Sequence, residues 1–226
     1  MIFKYYRNYK FTFTKMETES MIITFGEECE NGFCYKDLKR AHLYFKKRNI
    51  KTRLINLKAT LIEELEELNE LEELNEVEEA YLLIIKCGEG LKQIADDLYS
   101  EQKQLIKDEN EKGSALKHLT EKFKEIIGNV GGNLQSKVNY YKDFNKCIIP
   151  YHGDSRRKII EMRLGNESIP LNFVWFKDGI PVSNEISISD LHHGDLYIMT
   201  NKTTGFDWKN KKIYTLRHSC GYNLNF

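Results

Sequence analysis

CIIPYHG at 147–153, KIIEMRLG at 158–165, LNFVWFKDG at 171–179, DLYIMT at 195–200 and IYTLRHS at 213–219 decide how this chain is read. Each is a short run rich in aromatic and β-branched residues, and turn residues separate one from the next. Strands in such a series predict an all-β sandwich or jelly roll with its core from about residue 138. Residues 137–226 carry 13 Lys or Arg against 9 Asp or Glu, a mild basic bias that suits a polyanionic substrate.

Upstream the periodicity changes. MIITF (21–25) reads as a strand and Gly26 to Gly32 as a loop. Asp37 then opens a helix, DLKRAHLYFKKRN, with Leu38, Ala41, Leu43 and Phe45 on its apolar side. IKTRLINL (50–57) is a second strand, so strand, helix, strand predict a small α/β region over 21–80. That region ends in a Glu-rich helix: residues 61–80 hold ten glutamates and no basic residue, and ELEELN occurs twice in tandem. Leu61, Leu65, Leu68, Leu71, Leu74 and Val77 recur every three to four residues along it. The run reads as a solvated helix face or an expanded low-complexity insertion. Self-association through the stripe at 61–77 is the alternative to an otherwise monomeric chain. So acidic a helix is expected to sit away from any nucleic-acid ligand.

AYLLIIKCG (80–88) reads as a strand buried on both faces. Residues 91–106 and 116–128 have helical apolar spacing, with a charged loop over 107–114 between them. GNVGGN (128–133) must turn, because its three glycines hold no helix. The second domain is expected to span 81–226, which makes the fold class α+β.

Composition narrows the function classes. The chain has 226 residues, 34 basic and 34 acidic, and a formal net charge of zero. Charged residues at 30% and hydrophobics at 41% describe a globular protein, neither disordered nor fibrous. No apolar run approaches the roughly 18–20 residues that cross a bilayer. A net charge of zero argues against a general nucleic-acid coat. Residues 1–15, MIFKYYRNYKFTFTK, hold four basic and no acidic residues; they read as a disordered basic arm or, with Met16 and Met21 following, as a misassigned start. Cys29, Cys34, Cys87, Cys147 and Cys220 make no disulfide framework, and no signal peptide is evident. The expectation is a reducing, intracellular location, cytoplasmic or nuclear. Cys29 and Cys34 resemble half a zinc site, but no matching pair completes it.

His152-Gly153-Asp154 carries the chemistry. Residues i and i+2 on a strand project to the same side, so the imidazole and the carboxylate can converge on one ion such as Fe(II). A histidine from a distant strand would complete a two-histidine, one-carboxylate triad with open positions. His193-Gly194-Asp195 repeats the pattern but reads as a tight turn opening DLYIM. Arg156, Arg157 and Lys158 read as a solvated turn or as a phosphate-holding rim. Trp175 and Phe176 read as core aromatics before base-stacking platforms.

NYYKDFNKCIIPYHGDSRRK (139–158), RLGNESIPLNFVWF (163–176), HGDLYIM (193–199) and GFDWKNKKIYTLRHSCG (205–221) come in an order that resembles AlkB-like Fe(II)/2-oxoglutarate-dependent dioxygenases. The likeness is closest to the AlkB-like proteins of large DNA viruses and covers roughly residues 80–222. It implies a double-stranded β-helix (jelly roll) that binds Fe(II) and 2-oxoglutarate, with oxidative demethylation of alkylated DNA or RNA bases, as in DNA repair. It assigns His152 and Asp154 to the iron, and Asn139 and Tyr141 to the neighbourhood of the co-substrate.

The distal histidine departs from the family pattern. The family register puts Asn210 at that ligand position, Arg217 at the 2-oxoglutarate carboxylate and Lys211 where a second arginine is usual. The only downstream histidine is His218, beside Arg217. Neighbours on a regular strand face opposite ways, so both cannot reach one pocket without a bulge. If His218 holds the metal, Arg217 points away and Arg163 is the best substitute for the carboxylate. If Arg217 binds 2-oxoglutarate, the metal keeps two protein ligands unless Asn210 contributes. His218 is favoured as the third ligand. Residues 107–138 leave little room for the family's substrate-gripping lid. With the uncertain distal ligand, that keeps a catalytically degenerate AlkB-fold binding or scaffold protein as the alternative.

Overall fold

The computed structural model describes residues 20–68, 71–107, 114–128, 134–141 and 148–222. The expected N-terminal arm, most of the charged loop after residue 107, the glycine-rich turn beyond Gly128 and the segment 142–147 lie outside the described residues. The elements in chain order begin β1 (Ser20–Glu27), α1 (Tyr35–Lys46), β2 (Thr52–Asn56), α2 (Ala59–Leu68) and β3 (Tyr81–Ile85). Then follow α3 (Glu89–Lys107), α4 (Ser114–Ile127), β4 (Gln135–Tyr141), β5 (Ile149–His152), β6 (Lys158–Gly165) and β7 (Leu171–Lys177). β8 (Ile180–Pro181), β9 (Ile186–Ile188), β10 (Leu196–Met199) and β11 (Thr215–Cys220) complete the fold.

The strands form two sheets of a mixed α/β fold. One has six strands in the order β2-β3-β10-β6-β1-β4; the other runs β5-β11-β7-β8, with β9 also paired to β7. Every pairing is antiparallel. β3 is buried on both faces, as its unbroken apolar run requires, but within an antiparallel sheet backed by helices.

Period-two alternation sorts the six-stranded sheet into two faces. Met21, Ile23 and Phe25 of β1, Ile160, Met162 and Leu164 of β6, and Leu196 and Ile198 of β10 pack on the helices. There they meet Leu38, Ala41 and Phe45 of α1, Leu91, Ala95 and Leu98 of α3, and Phe123 and Ile126 of α4. Each of the larger side chains, fully buried, contributes about 1.5–3 kcal/mol relative to exposure. The intervening residues turn inward. Leu82, Ile84, Ile159, Tyr197 and Met199 join Phe173, Trp175 and Leu216 of the second sheet in an inter-sheet core.

Two expectations change. β1 lies between β6 and β4 and does not pair with β2, so residues 21–80 give strands to the same sheet as residues 81–226. The Glu-rich helix stops at Leu68 and is followed by a 3-10 segment, Leu71–Glu76. A straight helix through residue 80 would run about 1.5 Å per residue past the sheet it covers. Instead the chain doubles back, and Lys58 Nζ donates to the carbonyls of Leu74 (3.0 Å) and Val77 (2.7 Å). Leu61, Leu65 and Val77 are thereby buried in the inter-sheet core, while Leu68 stays exposed. Among the described residues no helix is long and apolar enough to cross a membrane.

Candidate metal centre

β11 sets the site. Its register against β7 is regular from Thr215 to Cys220, so its residues alternate strictly between the inner and outer faces. Leu216, His218 and Cys220 face the other sheet, and Arg217 faces away. Arg217 lies over the Phe176 ring at 4.1 Å and donates to the Trp208 carbonyl at 3.3 Å.

His218 pairs directly with His152 at the end of β5, and the two ring centroids are 4.6 Å apart. His152 Nδ1 lies 2.8 Å from the Pro150 carbonyl; a carbonyl only accepts, so Nδ1 carries the proton and Nε2 presents its lone pair. Asp154 lies beyond the strand. Its Oδ2 is 3.4 Å from His218 Nε2, and its backbone N–H donates to the Thr204 carbonyl at 2.9 Å. Ligand atoms of His152, Asp154 and His218 all lie within 4.8 Å of one another. Two imidazoles and one carboxylate suit a borderline divalent ion, and the group can hold a metal.

Electrostatics favour the ligating forms of His152 and Asp154. Burial, then the neighbouring His218, lower the pKa of His152 and leave its ring neutral. Burial pushes Asp154 upward, but the hydrogen bond and charge of His218, with His152 and Lys137, outweigh it and hold the carboxyl below its ordinary value.

Arg163 occupies the facing wall. It points inward from β6, is 4% exposed, and donates through Nη1 to Cys220 Sγ at 3.3 Å. Its Nε and Nη2 are buried without partners, as is the Tyr141 hydroxyl. Burial works against the charge of Arg163, yet Tyr197, Cys220 and Glu161 around it outweigh that and raise its pKa. Burial, then Cys220, likewise raise the pKa of Tyr141 well above the ordinary phenol value. Ile22 pairs with Asn139 on one side and Arg163 on the other, which puts both on the inner face of one row. Glu161, two residues before Arg163, accepts from Thr24 Oγ1 at 2.6 Å and from the Tyr197 hydroxyl.

The remaining sequence candidates fall elsewhere. Asn210 is exposed in a turn, where its Oδ1 accepts from the Lys212 N–H at 3.1 Å. His193 is satisfied locally: its Nδ1 accepts from the Gly165 N–H and its Nε2 faces Asp96. Trp175 is core, its indole N–H donating to the Leu57 carbonyl at 2.8 Å. Arg157 donates to the Glu30 carbonyl and stacks on Phe206, while Lys158 pairs with Glu27. Cys34 caps α1 with Asp37, and no metal-ligating cluster including Cys29 and Cys34 occurs among the described residues. Sequence reasoning missed Cys220, although its place two residues after His218 on one strand was the available signal.

The "Uncharacterized protein R156" of Acanthamoeba polyphaga mimivirus is 31% identical to this chain, over 87% of the chain and 88% of that protein. The chain belongs to that protein's family. The family thus has a viral member. No family model and no solved structure matches the chain.

Proposed function

We propose that the chain is an AlkB-like Fe(II)/2-oxoglutarate-dependent dioxygenase built on a jelly roll, with alkylated DNA or RNA bases as the substrate class. The observation that carries this reading is the pairing of the His152–Asp154–His218 group with a buried, two-thirds-unpartnered arginine on the facing wall. Arg163 meets Cys220, which lies two residues beyond His218 on the same face of β11, about 7 Å along the strand. A five-carbon dicarboxylic acid would have one end at the histidines and the other at Arg163.

His152, Asp154 and His218 would hold the iron. Arg163 would grip the distal carboxylate through Nε and Nη2, the paired donors that match a carboxylate side-on. The Tyr141 hydroxyl adds a donor at that end. Ile22, Ile149 and Ile169 pack around Tyr141 and Cys220 and keep water from the pair, which strengthens it. Bound there, iron and 2-oxoglutarate would let dioxygen act as the oxidant, one oxygen atom going to the co-substrate as it becomes succinate and CO2 and the other hydroxylating a methyl group of the substrate. Arg217, on the outer face, takes no part in co-substrate binding.

Anaerobic titration of the metal-free protein with Fe(II) and 2-oxoglutarate tests this, by the visible charge-transfer band of the chelated co-substrate. The expected result is a saturable band that His152→Ala and His218→Ala abolish, Arg163→Met weakens severely, and Asn210→Ala and Arg217→Met leave in place. No band in folded protein would overturn the reading and leave a binding or scaffold protein.

A further inference from the structure

Two of the three candidate ligands are placed by strand pairing, because His152 and His218 sit opposite each other in one ladder. Asp154 has no such support, since β5 ends at His152. What fixes it is the segment Thr200–Trp208. The Asp154 N–H donates to the Thr204 carbonyl at 2.9 Å. Gly153 lies so close to that segment that a Cβ there would sit 1.8 Å from the Gly205 carbonyl oxygen. Gly205 itself takes φ +67, a left-handed conformation that glycine adopts without strain.

The segment is in turn fixed by a buried ion pair. Lys202, 3% exposed, donates from Nζ to Asp207 Oδ2 at 2.5 Å and to the Tyr214 carbonyl at 2.7 Å. Those two bonds close the loop on itself and tie it to the residue preceding β11, the strand that carries His218. Thr203 and Thr204 beside Lys202 are fully buried, and Thr203 Oγ1 donates to the Tyr81 carbonyl at 3.0 Å.

We propose that Lys202 and Asp207 are positioning residues of the metal centre, acting through Thr204 and Gly205 to hold Asp154 in place against the two histidines. The proposal rests on the metal-centre reading of those three residues. Supports of this kind typically change metal affinity by about 10–100-fold.

The test uses Lys202→Met/Asp207→Leu, which removes both charges together and leaves neither buried alone. Asp207→Asn, which keeps the shape and loses the charge, is the milder second variant. Zinc is the probe, measured by competition with a chromophoric chelator, in the wild-type and Asp154→Ala backgrounds; amide exchange at Asp154 is followed in parallel. The expected result is zinc binding at least about tenfold weaker in the double variant, a smaller loss in Asp207→Asn, and no further loss once Asp154 is already removed. Exchange at the Asp154 amide is expected to rise about tenfold or more, while that at His218 stays unchanged. Equal zinc losses in both backgrounds, unchanged zinc affinity, or an unchanged Asp154 amide in folded variants would overturn the proposal. If the wild-type chain binds no zinc, the metal-centre reading falls, and exchange at Asp154 still decides whether the ion pair holds that residue.

Discussion

The space between the two sheets has two ends made by the same alternation and filled with opposite chemistry. Under α2 it is closed and apolar, with Leu61, Leu65, Phe173, Trp175 and Leu216 interlocked. Toward β5 and β4 it is polar, with His152, Asp154 and His218 on one wall and Arg163, Glu161 and Tyr141 associated with the other. The closed end satisfies every rule of a folding core. The polar end violates several of them, leaving Arg163 Nε and Nη2, Tyr141 Oη and His218 Nδ1 buried without partners. Such groups cost stability, and at this end they surround the candidate metal ligands, although Gln102, Asn201, Asp207 and Arg217 elsewhere also have buried polar atoms without partners.

Substitutions at the two ends should therefore separate stability from binding. The largest loss is expected at the closed end: Trp175→Ala removes a fully buried ring and its bond to the Leu57 carbonyl, at a cost of about 3–5 kcal/mol in denaturant unfolding. At the polar end Arg163→Met should cost less in unfolding than Trp175→Ala, because two of the three guanidinium nitrogens have no partner to lose. The same variant should severely weaken saturable 2-oxoglutarate binding. A loss as large as that of Trp175→Ala would make Arg163 a structural residue and erase the contrast.

Acid should act on the metal-free protein through the polar end. The folded-state pKa of His152 is lowered, so the unfolded chain binds its proton more readily. Its neutral form favours the fold above the ordinary histidine pKa near 6.5, and stability falls as pH drops through that value. Urea midpoints between pH 7.5 and 5 should decline in the wild type and decline less in His152→Gln. The smallest effect belongs to Leu68→Ser on the exposed side of α2, which should change stability by less than about 0.5 kcal/mol. Light scattering should return the same mass for both proteins; a lower mass in the variant would make the acidic run an association surface.

Much of this arrangement is legible in the residues. The alternation in KIIEMRLG is enough to assign Glu161 and Arg163 to one face and Ile160, Met162 and Leu164 to the other. His152-Gly153-Asp154 stands out in the same way. The Glu-rich run is less legible, because its periodicity fits a long helix as well as a helix that stops at Leu68. Only the reach of Lys58 to the Leu74 and Val77 carbonyls selects the second. The Lys202–Asp207 pair is illegible, since nothing in a charged loop sequence distinguishes a buried pair from two solvated side chains.

The sequence by itself determined that His218 and Arg217 face opposite ways, because successive side chains on a strand must. It also determined that Glu-rich residues 61–80 carry an apolar stripe recurring every three to four residues. Only the tertiary structure decided which of the two β11 faces lies inside, because that depends on the strands across the gap. It placed Arg163 against Cys220 across the gap between two sheets, and Thr204 against Asp154 across fifty residues of chain. Local periodicity states which side chains share a face; long-range register and packing alone state what that face meets.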